Sequence, residues 1–203
     1  MKTKAPHDLE TAGTRERIVR TASRLMQRQG YEGTGIKQIS REAGATLGSV
    51  YHFFPGGKQE LGTAAVRLGD EEFTEFLRES LDAEPDPAKA LITLTASLAQ
   101  GLRESDWLDG CPVTSTVVGT AAGAPGIQQA AAEAFARWRA VVAGKLVAAG
   151  FAEADAEDLA HTVIATLEGA ELASQVARSE TPLEAAGRHL ARLIATYGGS
   201  VRT

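Results

Sequence analysis

Apolar residues recur every three or four positions along this chain and never alternate over a sustained run, so the pattern predicts helices throughout. A first helix is expected with Thr14 as its cap, with Ile18, Ala22, Leu25 and Met26 on one face, and with its end at Gly30. A short segment follows with Ile36, Ile39 and Ala43 on one stripe, stopped by Gly44. After Gly44-Ala45-Thr46 a second short segment turns Leu47, Val50, Tyr51 and Phe54 at least partly inward, and Pro55-Gly56-Gly57 breaks the chain. A long helix over 58–81 offers Leu61, Ala65, Leu68, Phe73, Phe76 and Leu77 as buried positions, and Pro85 and Pro87 end it. Further helices are predicted over 88–103, 113–121, 126–149, 154–178 and 182–197, with a turn around Trp107, Gly110 and Pro112. Thr181 is the expected cap of the last, Pro182 fits its first turn, and the tail 198–203 is expected to fray.

The expected fold is all-α, with an N-terminal three-helix helix-turn-helix domain over 1–57 and a larger C-terminal helical domain over 58–203. Two short helices joined by a glycine-containing turn make a helix-turn-helix. Neither is long enough to stand alone, so both must pack on the first helix and on the start of the long one. The second then shows Gly48, Ser49 and His52 outward, small and polar groups suited to a DNA major groove. Thr46 and Ser49 can donate to phosphates or bases, with Lys37 and Arg41 flanking them. Lys58 sits in the first turn of the long helix, where the dipole disfavours a cation unless a phosphate lies nearby. The same geometry occurs in helical proteins that bind no DNA, and it leaves both readings open.

Charge tilts the balance toward DNA. The chain has 203 residues and a net charge of −5, but the first 67 residues carry 11 Lys+Arg against 6 Asp+Glu. The remainder holds 10 basic groups against 20 acidic ones, and a basic head on an acidic body suits a polyanion at one end only. Ordinary scatter of charge is the plainer alternative. At 43% hydrophobic and 23% charged, the chain can bury a core. It lacks the ~20 apolar residues of a membrane span. Residues 1–10 carry Lys2 and Lys4 without the apolar block of a signal peptide, so a cytoplasmic protein is expected.

Catalytic readings find little support. Gly56-Gly57-Lys58-Gln59 lacks the Ser or Thr a phosphate-binding loop needs after its lysine, and His52 stands where that loop needs a glycine. Glu157 and His161 share a helix face, but a full metal-ligand set is missing. The single cysteine, Cys111, excludes an intrachain disulfide and reads as an inert buried thiol or a redox-sensitive pocket residue. No enzyme activity, cofactor or metal is expected.

The run from Gly30 through Lys37, Thr46, Ser49 and Tyr51 to Phe54, followed by Lys58, resembles the DNA-binding domain of TetR-family transcriptional repressors over roughly residues 15 to 61. Phe54-Pro55-Gly56-Gly57-Lys58 and Gly110-Cys111-Pro112-Val113 are similar to the LmrA/YxaF-type subgroup. The resemblance implies a homodimer and a second domain that binds an inducer. It places Lys37 at a groove-reading position, Thr46 as cap of the recognition helix, Leu47, Gly48 and Ser49 at its groove-facing start, and Tyr51 and Lys58 on phosphates. Gly35 stands where the family often has Ser or Thr, His52 comes one position before the family's histidine, and Leu47 replaces a commonly polar residue. These departures bear on the operator sequence.

In the acidic body, Phe73, Phe76, Trp107, Phe135 and Trp138 would line an apolar ligand cavity if they converge, or simply form core. The irregular turn holding Trp107, Cys111 and Thr114 is a candidate gate. Glu168 and Glu171 either point toward ligand or face solvent and arginines. Small residues at Ala165, Gly169, Ala173, Ala177, Ala185, Ala191 and Ala195 suit a close four-helix dimer interface, or reflect alanine's helix propensity alone. An isologous dimer would match a palindromic double-stranded DNA operator. The expected function is a ligand-inducible repressor released by a small hydrophobic or amphipathic molecule. A DNA binder or activator without inducer, and a helical enzyme or carrier with a purely structural head, are the alternatives.

Overall fold

The computed structural model describes residues 13–120 and 123–198, so residues 1–12, the predicted helix end at Ala121 and the predicted frayed tail over 199–203 lie outside the described residues. The described residues are helical, without strands: α1 Thr14–Gly33, α2 Ile36–Glu42, α3 Leu47–Phe53, α4 Gly57–Asp82, α5 Pro87–Glu104, α6 Pro112–Val117, α7 Pro125–Ala148, α8 Glu153–Ala177 and α9 Thr181–Gly198. The all-α expectation holds, and two caps move. Thr14 is the first helical residue of α1, and Gly13 takes the cap position with extended backbone and no side-chain bond. Thr181 likewise opens α9, its N–H donating to Ser179 Oγ at 3.2 Å. Gly30, at φ 72°, interrupts the helical path of α1 where the glycine predicts its end, and one further turn follows. Asp86 caps α5 by accepting from Ala88 and Lys89, with Pro87 directly behind it.

Two compact units form. A head unit takes the described residues up to Glu72 together with Asp109–Ala134; a body unit takes Phe73–Leu108 and the described residues from Phe135 onward. Helix α4 contributes its first part to the head and its last part to the body. Within the head, α1 packs against α2, α3 and α6. Ile18, Met26, Ile39, Val50, Phe54 and Leu61 are buried there, each burial worth about 1.5–3 kcal/mol. Glycine lets α4 approach its neighbours closely: a Cβ on Gly69 would stand 2.8 Å from Pro112 Cγ, and one on Gly62 would stand 2.8 Å from Ile127 Cδ1. Within the body, α9 packs against α5 and α8, burying Leu91, Leu94, Val163, Leu183, Leu190 and Ile194.

Candidate functional site

The head's turn is built by local chemistry. Gly44 takes a left-handed φ of 58°, the conformation that favours glycine. Ser40 Oγ donates to Ala45 O at 2.7 Å, and Ala45 N–H donates back to Ser40 O at 2.9 Å. Thr46 then caps α3: its Oγ1 accepts from Ser49 N–H at 3.0 Å and lies 2.9 Å from Ser49 Oγ.

Helix α3 is only seven residues long and offers the core one narrow stripe. Val50 and Phe54, one turn apart, fill it at 0% and 1% exposure. The inward placement expected of Leu47 and Tyr51 is corrected: they are 39% and 51% exposed. Tyr51 lies about 100° around the helix from Val50, and Leu47 opens the helix ahead of the buried stripe. Thr46, Gly48 and His52 are exposed beside them, and Ser49 is half-buried.

Two cations on α2 are available to this surface. Lys37 and Arg41 are exposed and make no ion pair among the described residues. The nearby acid Glu42 is occupied by Arg24 at 3.2 Å and by Gln38 at 3.1 Å. Lys58, half-buried at the start of α4, holds its Nζ 4.3 Å from the centre of the Tyr31 ring and 3.8 Å from Glu32 Oε2. The resulting surface is a capped helix with small, polar and aromatic groups outward, flanked by cations. That combination fits a major groove about 12 Å wide.

In the body, four of the five predicted aromatics converge, Phe76 lying 6.1 Å from Phe73 between ring centres. Phe73 meets Trp138 edge-on at 4.6 Å between ring centres, and Phe135 lies 5.0 Å from Trp138. Trp138 is fully buried, yet its Nε1–H has no partner. On α8, Glu171 is 9% exposed, and burial, with Glu168 adding its charge, pushes its carboxyl up to about 8. Ser174, one turn further along and fully buried, also leaves its Oγ unpartnered. Buried polar atoms rarely stay unpaired, so these groups mark the body as unusual among packed cores. Cys111 and Thr114 belong to the head unit, where Cys111 Sγ accepts from Thr114 N–H at 3.5 Å at the start of α6.

Trp107 has a distinct setting. It follows α5 in a Schellman arrangement, Trp107 N–H donating to Leu102 O at 2.7 Å and Asp106 N–H to Arg103 O at 3.1 Å. Asp106 and Trp107 both adopt left-handed φ, 56° and 65°. For a tryptophan this is a steric outlier, with a strain of order 1–3 kcal/mol. Gln175 Nε2 donates to Trp107 O at 3.3 Å. Sequence reasoning misses Gln27 and Arg28, which hold residues 109 and 110 across more than 80 positions; no local pattern signals such a contact. Among the described residues, acidic, histidine and cysteine side chains nowhere gather as a metal-holding group, and no helix is long and apolar enough to cross a membrane.

A supported, capped second helix with an open outer face is the geometry of a helix-turn-helix. Residues 18–65 match the family described as bacterial regulatory proteins, tetR family, and residues 87–189 match the transcriptional regulator LmrA/YxaF-like C-terminal domain. The chain belongs to the TetR family of DNA-binding transcriptional regulators, in its LmrA/YxaF-like branch. It is 36% identical over 170 residues to the uncharacterized HTH-type transcriptional regulator YxaF of Bacillus subtilis (strain 168), covering 84% of this chain and 89% of that one. The HTH-type transcriptional regulator LmrA of the same organism is 35% identical over 170 residues, covering 84% and 90%. A crystal structure of a TetR transcriptional regulator from Chloroflexus aurantiacus J-10-FL superposes with a TM-score of 0.75 at 28% identity, covering 93% of this chain and 96% of that one. The protein is a transcriptional regulator and not an enzyme.

Proposed function

We propose that this chain is a homodimeric cytoplasmic repressor, released from a palindromic operator when a small hydrophobic or amphipathic molecule binds its C-terminal domain. The observation that carries the DNA half is the exposure of Leu47, Tyr51 and His52 on α3, whose Val50, with Phe54 directly after the helix, is sealed. In this reading Lys37 reads the groove from α2, and Thr46 caps the recognition helix. Leu47, Gly48, Ser49 and His52 face bases, and Tyr51 and Lys58 take phosphates. Residues 1–57 serve the operator, and residues 58–203 serve ligand and dimer.

The ligand half is supported by the aromatic cluster of Phe73, Phe135 and Trp138 with its unpartnered indole N–H, and by the buried Glu171 beside Glu168. Trp107 is the proposed gate. Ligand binds better to a conformation in which α4 has tilted, and a differential affinity of ~1–3 kcal/mol gives a 5–150-fold loss of operator affinity. Dimerisation is supported by α8, where Leu172 and Val176 are 61% and 81% exposed and Ala165, Gly169 and Ala173 are exposed with them.

The test is binding to the intergenic DNA upstream of the protein's own gene, at two salt concentrations with excess competitor. Saturable, competitor-resistant binding that weakens with salt supports the repressor reading, and no binding at low salt sinks it. A second reading, a regulator without inducer, draws on the tight Phe73–Trp138 packing, which leaves Trp138 at 0% exposure. A thermal-shift screen in which small molecules never stabilise the protein would favour it.

A further inference from the structure

We propose that the head carries a ligand site of its own, a cleft between α1 and α4 that takes a small amphipathic organic anion. The cleft has a volume of about 630 Å³, within the range of small-molecule pockets. Every residue lining it belongs to the head unit. Helical spacing builds it. Arg15, Glu16, Val19 and Arg20 share one stripe of α1, and Glu60, Ala64, Arg67, Leu68 and Glu71 share a stripe of α4.

The floor is apolar: Val19 and Phe54 are buried, and Ala64 and Leu68 are half-buried. Phe54 directly follows α3 and packs inward with Val50. The cleft therefore reaches α3 on its sealed side, not on the outer face of Leu47, Tyr51 and His52.

The rim decides the charge of the occupant. Arg15 and Arg67 are exposed and form no ion pair among the described residues. Arg15 rests its guanidinium carbon 5.3 Å from the centre of the Phe54 ring. The third arginine is already engaged, Arg20 donating to Glu16 at 2.9 Å and to Glu72 at 2.8 Å. Of the three acids lining the cleft, Glu16 is held by Arg20, and Glu60 accepts from Gly56 N–H at 2.8 Å. That leaves Glu71 alone against two unpaired guanidiniums. A carboxylate, sulfonate or phosphate group meets in them the donors that bind it best, while an apolar body covers the floor. A DNA backbone is a poorer occupant, because three carboxylates repel a polyanion and the apolar floor offers it nothing.

The test is amide NMR of the full-length protein titrated with octanoate, and with octanol as the uncharged probe of the same length. Octanoate is expected to shift residues 15–20 and 63–68 together along one saturating curve, with octanol about tenfold weaker at the same residues. Arg15→Gln with Arg67→Gln, both at exposed positions, should weaken octanoate by about tenfold and leave octanol unchanged. Ala64→Phe fills the cleft and should abolish both responses there. Octanoate shifts confined to the body, equal binding of the two probes, or parent-like octanoate binding by the double variant overturns the proposal. So does a double variant whose salt slope on the upstream intergenic duplex falls by about 1 or more, since the arginines would then belong to DNA phosphates. Octanoate binding needs no DNA, so this site and the operator reading fail separately.

Discussion

The ammonium of Lys58 rests 4.3 Å from the centre of the Tyr31 ring, at the junction of α4 and the last turn of α1. A cation in the first turn of a helix opposes the dipole, and here the aromatic face and Glu32 offset that. On DNA, a phosphate would take Glu32's place. Lys58→Ala is expected to lower affinity for operator and scrambled duplex alike, and to reduce the slope of log affinity against log salt by about 1. A loss confined to the operator would contradict a phosphate role.

Thr46 and Ser49 separate stability from reading. Thr46→Ala removes the cap of α3 and is expected to cost ~1 kcal/mol in urea unfolding with an unchanged m-value. Ser49→Ala leaves the backbone cap intact and is expected to relax sequence preference in competition binding. Equal discrimination by parent and Ser49→Ala would remove Ser49 from base contact.

Glu171 predicts a pH dependence of stability. Its folded pKa, about 8, lies above its ordinary value near 4.5, so between these the folded state holds a proton that the unfolded state has lost. Stability is then full below pH 4.5 and declines as pH rises toward 8. Glu171→Gln is expected to flatten this decline and to be more stable than the parent at pH 8.5 by a few kcal/mol, order of magnitude. Melting curves of both proteins at pH 6 and 8.5 check it; parallel curves would show that the carboxyl does not carry the decline.

The close approach of α5 and α9 depends on one glycine. A Cβ at Gly187 would come within 2.1 Å of Thr95 Oγ1, itself bonded back to Leu91 O at 3.0 Å. Gly187→Ala is expected to destabilise by about 1–3 kcal/mol, and Thr95→Ala in the same chain, which removes the clashing oxygen, should recover part of the loss. A neutral Gly187→Ala in urea titration would mean that the two helices can part.

The exposed apolar face of α8 bears on assembly. Leu172→Glu with Val176→Glu is expected to convert the dimer to monomer in sedimentation experiments while leaving the helical circular-dichroism signal unchanged. A variant that still dimerises would move the interface elsewhere.

What the sequence determined is what short-range chemistry controls. The two short helices, the stop at Gly44 and the breaks at Pro55 and Pro85 each involve groups within about four residues, so they were legible without a fold. Family membership was legible for the same reason, because its motif is this local turn and helix. Tertiary structure decided what covers each face. Periodicity groups Leu47 with Val50, but only the support behind a seven-residue helix determines that Val50 is sealed and Leu47 open. Glu171 reads like any helical glutamate until its neighbours bury it. Arg28 and Asp109 stand 81 residues apart, and no local pattern could have joined them. Breaks and turns are settled by neighbours along the chain; the caps at Thr14 and Thr181 shifted by one residue, and burial, strain and long-range anchoring are settled by neighbours in space.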